Sequence, residues 1–189
     1  IESVLYQKGI ELDLCIIDDY STDRSIDIIN EYRDNGKVTI LENDENRGTY
    51  YSRNRGLEIF KKGDYTHFTT HDSDDVSLVD RYSEMMKLFT EEVYCVPTVY
   101  MRIPEQYVSD SNIEMSKGRV ITDGGNGIGI YHGEIFNQIG YYDNNRFGAD
   151  TDYFLRAKEW CKQNDKKIVK FTDVMYFARE HGSNLTKVF

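Results

Sequence analysis

The sequence predicts an α/β fold in which a mainly parallel central sheet is flanked by helices. Three observations carry this. Apolar runs of strand length alternate with longer stretches whose apolar residues recur at spacings of three and four. Two of the strand-like runs end in clustered acids, Asp18-Asp19 and Asp72, Asp74 and Asp75. In open α/β sheets, ligands bind just beyond the carboxyl ends of the strands. Third, 189 residues with 39% hydrophobic content are enough for one domain with its own core. Two prolines and the lack of any low-complexity stretch leave no sign of an internal linker or repeat.

The elements follow in order. Residues 12–18, LDLCIID, read as a buried strand ending in acid. Ser21 and Thr22 offer cap chemistry for a helix whose apolar face is Ile26, Ile28, Ile29 and Tyr32. Residues 37–42, KVTILE, form a second strand and NDENRG a loop, with a helix from Thr49 to Lys62. YTHFTT, 65–70, is a third strand that runs into the acids. A helix is expected over 78–89, then an extended run over 93–103 and a glycine-rich irregular stretch over 118–129. A short helix over 133–139 precedes a longer one over 149–162, with Tyr153, Ala157 and Cys161 on one face beside Phe154 and Trp160. KKIVKF and VMYFAR close the chain as strands, at 166–171 and 174–179.

Charge narrows the function. Lys and Arg number 23 against 33 Asp and Glu, a net charge of −10. Binding to nucleic acid phosphates needs a local basic face. Lys61-Lys62 and Lys166-Lys167 are isolated pairs, so no nucleic acid partner is expected. The longest apolar runs are strand-sized, so no transmembrane segment is expected in this chain, and no secretory signal is visible. Cys15, Cys95 and Cys161 are odd in number and widely spaced, which reads as reduced, buried thiols of a cytoplasmic protein, with peripheral attachment at the membrane compatible.

The acids in THFTTHDSDD pose a physical problem. Carboxylates a few ångströms apart repel by roughly 1 kcal/mol in water and about 4 kcal/mol at an effective dielectric of 20. Open solvent, a basic neighbour or a divalent cation must compensate.

At this point the sequence resembles the family 2 glycosyltransferases. IIDDYSTDRS is similar to their VDDGSTD segment, and ENRGTYYSRNRGLEIFKKGDYTHFTTHDSDD to their N-x-G, ARN-x-G and LDSDD run. FGADTDYFLR resembles their later G-E-D-x-D-L-x-x-R segment, and FAREHGSNLT their R-x-H-x-x-S segment. The likeness runs from residue 1 to about 186. It implies the GT-A fold, a Rossmann-like nucleotide-diphospho-sugar transferase fold. Residues of about 1–76 would be the nucleotide-binding half and about 77–189 the acceptor-binding half. It also implies that IESVLYQ matches the end of the family's first helix, so the family's first strand is expected ahead of it.

The resemblance implies inverting transfer of a sugar from a nucleotide-sugar donor, a UDP- or GDP-sugar, to a hydroxyl of a glycan or other acceptor. Mn²⁺ or Mg²⁺ is the expected cofactor, because such a cation takes oxygen ligands and bridges carboxylate to diphosphate. Asp74 is the expected ligand, with Asp75 in its place or acting through water, and Asp72 at the ribose or at a water around the metal. Asp18 and Asp19 are expected at the base and ribose, where a carboxylate accepts from N–H and O–H donors. Asn46, Arg47 and Gly48 form a loop able to close over a base. Arg53 points to the diphosphate or pairs with a carboxylate. His181 would ligate the metal or hydrogen-bond the diphosphate, and Arg179 would neutralise phosphate. Asp150 matches the family's general base and falls in the first turn of a predicted helix, where the dipole favours an anion. The family's preceding Glu is Ala149 here.

Each residue also has a plain reading: Ser73 to Asp75 as caps of the next helix, Asp150 as an acid answering a helix dipole, Asp152 as partner of Arg156, His181 as a surface residue. Receiver domains and haloacid-type phosphatases also carry acids after an apolar strand, but DDYSTD matches neither pattern cleanly. A nucleotidyltransferase of similar fold, or a catalytically silent module holding a nucleotide-sugar or glycan, are the rival functions.

Overall fold

The structure is a computed structural model that describes residues 1–109, 112–145 and 147–182. The end of the R-x-H-x-x-S-like segment, from residue 183, lies outside the described residues. In chain order the elements are α1 (Glu2–Leu5), β1 (Leu14–Asp18), α2 (Ser25–Asn30), β2 (Val38–Glu42), α3 (Thr49–Lys62), β3 (His67–Thr69) and β4 (Val76–Ser77). Then come α4 (Arg81–Met86), β5 (Val93–Val96), β6 (Tyr100–Pro104), β7 (Val108–Ser109), β8 (Asn112–Ile113), β9 (Arg119–Ile121) and β10 (Ile130–His132). α5 (Gly133–Ile139), α6 (Ala149–Gln163), β11 (Lys167–Ile168) and β12 (Tyr176–Glu180) complete it.

β1 and β2 pair in parallel, with Asp18 opposite Glu42. A second sheet has the order β11-β5-β10-β3. β5 and β11 are parallel, while β10 runs antiparallel to both β5 and β3, so β3, β5 and β11 share one direction and β10 opposes them. A third sheet, β4-β12-β6-β9, pairs β12 in parallel with β6 and antiparallel with β4.

Helices cover both faces of the second sheet. Leu57 of α3, Ile135 and Phe136 of α5, and Ala149, Tyr153, Ala157 and Cys161 of α6 bury against Cys95 and Tyr131. Val4 of α1 and Tyr82 and Met85 of α4 pack with Val96 and Ile130. Successive residues of β10, Ile130 and Tyr131, thus enter opposite clusters, as strand geometry requires. The three cysteines are free, two buried and Cys15 half-buried.

Four expectations shift. The helix expected from residue 78 starts only at Arg81, because Val76 and Ser77 pair with β12 and the Leu78 amide donates to the Met175 carbonyl. Backbone up to that point is still serving a sheet. The extended run over 93–103 divides at Pro97, which has no N–H to give a ladder. β5 and β6 therefore belong to different sheets. Ser21 and Thr22 do not cap α2; the Asp23 carboxylate accepts from the Ser25 amide at 2.9 Å instead. KKIVKF is a regular strand only over the two residues of β11; beyond a register shift the Val169 and Phe171 amides still donate to the Cys95 and Pro97 carbonyls, and Phe171 bridges Thr98 in parallel.

Candidate active site

The two longest helices start the same way. Gly48 at φ +88° precedes the 14 residues of α3, and Gly148 at φ +78° precedes the 15 residues of α6. A residue with a Cβ rarely adopts that backbone, so glycine allows each chain to turn sharply into its helix. The second residues of the two helices meet: the Tyr50 hydroxyl donates to Asp150 Oδ1 at 2.8 Å.

The acids at the end of β1 are turned inward. Asp18 is 7% exposed, and its carboxylate accepts from the Ser21 amide at 3.1 Å. Asp19 accepts from the Arg47 amide at 2.9 Å, the Gly48 amide at 2.7 Å and Asn43 Nδ2 at 2.6 Å. Burial pushes the Asp19 pKa up, but these donors, with Ser52, outweigh burial and leave it below the ordinary value. Asn46 Nδ2 donates to the Asp19 carbonyl at 3.3 Å. The loop carrying Asn46, Arg47 and Gly48 is thus latched onto the end of β1. Arg47 pairs with Glu45 at 2.9 Å and lies over the Tyr51 ring.

The acids after β3 are arranged differently. Asp72 pairs with Arg53 at 2.7 Å, and the Arg53 guanidinium lies 5.5 Å from the Tyr50 ring centroid and 6.0 Å from that of Tyr142. Burial lowers the Arg53 pKa, but Asp72 and its other anionic neighbours raise it further, for a net rise. Asp75 is mostly buried; its two oxygens accept from the Tyr176 hydroxyl at 2.7 Å and the Arg179 amide at 3.0 Å. Burial pushes its pKa to about 7, against the Tyr176 bond and helped by the charges of Asp74 and Asp72. Asp74 is partly open and meets an imidazole: His181 Nε2 lies 2.9 Å from its Oδ2, with the Asp74 side chain 38% and the His181 side chain 21% exposed. Arg179 Nε also donates to the Asp74 carbonyl. Asp74, Glu105, Arg179, His181 and Gly182 line an open cleft of about 540 Å³.

His71 braces the turn from behind. Its ring contacts the Asp72 carbonyl at 2.8 Å and Ser77 Oγ at 3.0 Å, and burial, then the nearby Arg81 charge, bring its pKa down to about 4. Arg81 is fully buried and donates to Ser77 Oγ at 3.1 Å and the Ile128 carbonyl at 2.5 Å. The plain reading of residues 73–75 as helix caps does not fit this arrangement, since β4 separates them from α4.

Among the described residues, no group of three His, Cys, Asp or Glu side chains forms a metal cage by itself. Asp74 and His181 nevertheless converge on open space with one carboxylate oxygen and one imidazole nitrogen. Mg²⁺ and Mn²⁺ sites are commonly completed by water and substrate phosphate, and that donor set fits such a cation. Asp75, expected as a ligand, has both oxygens committed to β12.

Some participants were not singled out in the sequence. Tyr176 holds Asp75 and also accepts from the Asp72 amide at 3.3 Å, from more than 100 residues downstream. Tyr50 and Glu105 carry no motif signature; Arg81 sits within an apolar helical pattern. The pairing of Asp152 with Arg156 at 2.8 Å follows from their i, i+4 spacing and was legible.

The model of Glycosyl transferase family 2 matches residues 1–163. An uncharacterised glycosyltransferase of Escherichia coli K12, YibD, is 34% identical over 92 residues, 49% of this chain and 26% of that protein. WfaP of Escherichia coli, a UDP-Glc:alpha-D-GlcNAc-diphosphoundecaprenol beta-1,3-glucosyltransferase, is 31% identical over 122 residues, 65% of this chain and 42% of its own. The chain thus spans less than half of the length of these relatives. In three dimensions it is similar to S. aureus TarS 1-349 in complex with UDP, with a TM-score of 0.72 at 19% identity, over 95% of this chain and 55% of that one. The mannosyltransferase PcManGT of Pyrobaculum calidifontis, in complex with GDP-Man and Mn²⁺, gives 0.66 at 16% identity over 95% and 51%. These likenesses establish the GT-A fold.

Proposed function

The chain belongs to glycosyl transferase family 2, and from that premise we propose that it carries out inverting transfer of a sugar from a nucleotide-sugar to an acceptor hydroxyl, with a divalent cation. The observation that carries the reading is the Asp74–His181 pair opening on the cleft. UDP in TarS, GDP-Man in PcManGT and the UDP-Glc donor of WfaP support a UDP- or GDP-sugar, and the Mn²⁺ of PcManGT supports the metal. A glycan or other hydroxyl compound is the acceptor class. Residues of about 1–76 are read as the donor half and about 77–189 as the acceptor half. The three free thiols support a cytoplasmic location; no helix among the described residues is long and apolar enough to cross a membrane.

Asp74 and His181 would hold the cation, which when bound offsets the charge of the leaving diphosphate. Arg53 and Arg179 add positive charge beside the acids. Asp150 is the general base. It takes the proton of the acceptor hydroxyl as that oxygen bonds to the anomeric carbon and the bond to diphosphate breaks. Attack from the face opposite the leaving group inverts the anomeric centre.

Calorimetry on the full-length protein tests the cation: UDP or GDP should bind in Mn²⁺ and lose most affinity in chelator. Equal affinity in both would remove the metal from the mechanism. Proton NMR of the product linkage tests the stereochemistry, and retention of the donor's configuration would contradict it.

A further inference from the structure

We propose that Tyr50 is a positioning residue for the transfer reaction, aiming the Asp150 carboxylate by holding its Oδ1 and leaving Oδ2 for the acceptor proton. This inference rests on the reading of Asp150 as general base.

Four observations converge. The hydrogen bond from the Tyr50 hydroxyl to Oδ1, at 2.8 Å, joins residues 100 positions apart through the first turns of the two longest helices. The Tyr50 ring is held in turn: it stacks on Tyr142 at 6.0 Å and 27°, and Tyr142 is itself buried and stacked on Tyr153 at 4.2 Å. A hydroxyl on a ring packed this way directs its partner rather than following it.

The second oxygen lies beside Gly127, where the lack of a side chain keeps it uncrowded. A Cβ placed on Gly127 would lie 3.0 Å from Asp150 Oδ2 and 3.4 Å from Arg53 Nη1. Any side chain there would crowd the oxygen that remains free of Tyr50.

Finally, Tyr50 and Arg53 lie three residues apart on α3 and therefore share a helix face. Tyr50 holds Asp150, and Arg53 holds Asp72 at 2.7 Å. One turn of one helix thereby spaces the base against the donor-side acid loop. Barriers to reaction are sensitive to placement errors on the order of 1 Å. The groups that face Asp150 are Tyr50 and Arg53 from α3, Gly127 from the glycine-rich stretch, Tyr131 from β10 and Tyr142 from the segment before α6. Burial and the Asp150 bond both raise the Tyr50 pKa, which keeps the hydroxyl protonated as a donor.

The test follows UDP or GDP release by the full-length protein with Mn²⁺ from UDP-glucose, UDP-N-acetylglucosamine and GDP-mannose. Water serves as acceptor: its oxygen bonds to the anomeric carbon, its proton goes to Asp150, and the nucleoside diphosphate leaves with the bonding electron pair. Tyr50→Phe should lower kcat about tenfold with UDP affinity and melting temperature near wild type. The KM for the donor should stay near wild type, so the loss falls on kcat alone. A role in folding alone would not give that split. Combined with Asp150→Asn, the tyrosine change should add nothing further. Wild-type kcat in Tyr50→Phe, with Asp150→Asn inactive, overturns the positioning role alone. Normal turnover in Asp150→Asn overturns both the base assignment and this inference. Independent, multiplicative losses in the double variant also overturn it.

Discussion

The acids at the end of β1 and those after β3 look alike in sequence and do opposite things in the fold. Asp18 and Asp19 point their carboxylates into the protein's own backbone amides, and Asp19 ties the loop of Asn46, Arg47 and Gly48 to the sheet. The cluster after β3 divides its members: Asp72 goes to Arg53, Asp75 to Tyr176 and the Arg179 amide, and Asp74 to His181 at the cleft. Backbone N–H donors are fixed in place and neutral, so an acid that they satisfy becomes part of the scaffold. An acid answered by one exchangeable imidazole can give that partner up to a cation. The difference separates acids that hold the scaffold together from an acid left at the cleft.

The largest effect that would break this contrast lies at Asp74. Asp74→Ala should cost at least about 100-fold in Mn²⁺-dependent UDP affinity, of the order that loss of a charged hydrogen-bonding or metal-binding group brings. Its thermal stability should hardly change, since the side chain is partly exposed and reaches only His181 among the bonds described above. Calorimetry and a thermal melt on the same preparation check both halves. Unchanged UDP affinity in Mn²⁺ would make Asp74 a scaffold acid like Asp19.

Asp19→Ala should show the reverse pattern. It removes one carboxylate that receives two backbone amides and one side-chain amide. At about 1.5 kcal/mol for each bond to a charged group, and after allowance for solvent screening, on the order of 3 kcal/mol of stability should go, read as a lower urea midpoint. UDP affinity should fall only to the extent that the loop loosens. A variant of wild-type stability with abolished UDP binding would place Asp19 at the ligand instead, as the family resemblance implies.

That division was only half legible beforehand. Helices α3 and α6 were readable to within a residue, because each is a long stretch without proline and a glycine precedes each. Asp150 could be placed in a first turn for the same reason. Pro97 could have divided the run of 93–103, since proline's missing N–H is a local property of the sequence. The fate of Asp19 and Asp75 could not be read that way. Whether a carboxylate is spent depends on donors brought in by the fold: the Gly48 amide from 29 positions away, and the Tyr176 hydroxyl from 101. A tyrosine in a strand-like run such as VMYFAR gives no sign of whether its hydroxyl will be buried against an acid.

The smallest effect is also the one that separates the two regions by sign. Asp75 has its folded pKa raised to about 7, by burial first and by the charges of Asp74 and Asp72, from an ordinary 3.8. Below about pH 4 it is protonated in folded and unfolded chains alike and contributes no pH dependence. Between about 4 and 7 the unfolded chain releases that proton while the folded chain retains it, so stability falls as pH rises, and the loss levels off above about 7. Asp19 runs the other way: its lowered pKa adds stability above the ordinary carboxylate range and loses it as pH falls below that range. His67 and His71, both lowered to about 4 chiefly by burial, also give a slope over pH 4 to 6.5, so wild type alone cannot isolate Asp75. The difference between wild type and Asp75→Asn does, because the histidines are common to both. Asparagine loses one acceptor against the Arg179 amide, which offsets the whole curve without tilting it. The wild-type-minus-variant stability, from urea unfolding of metal-free protein, should therefore decline by on the order of 1–2 kcal/mol from pH 4 to pH 7 after allowance for solvent screening. A flat difference would mean that Asp75 is ionised in the folded chain well below pH 7, as solvated as Asp74, and that the cluster after β3 offers two open acids rather than one.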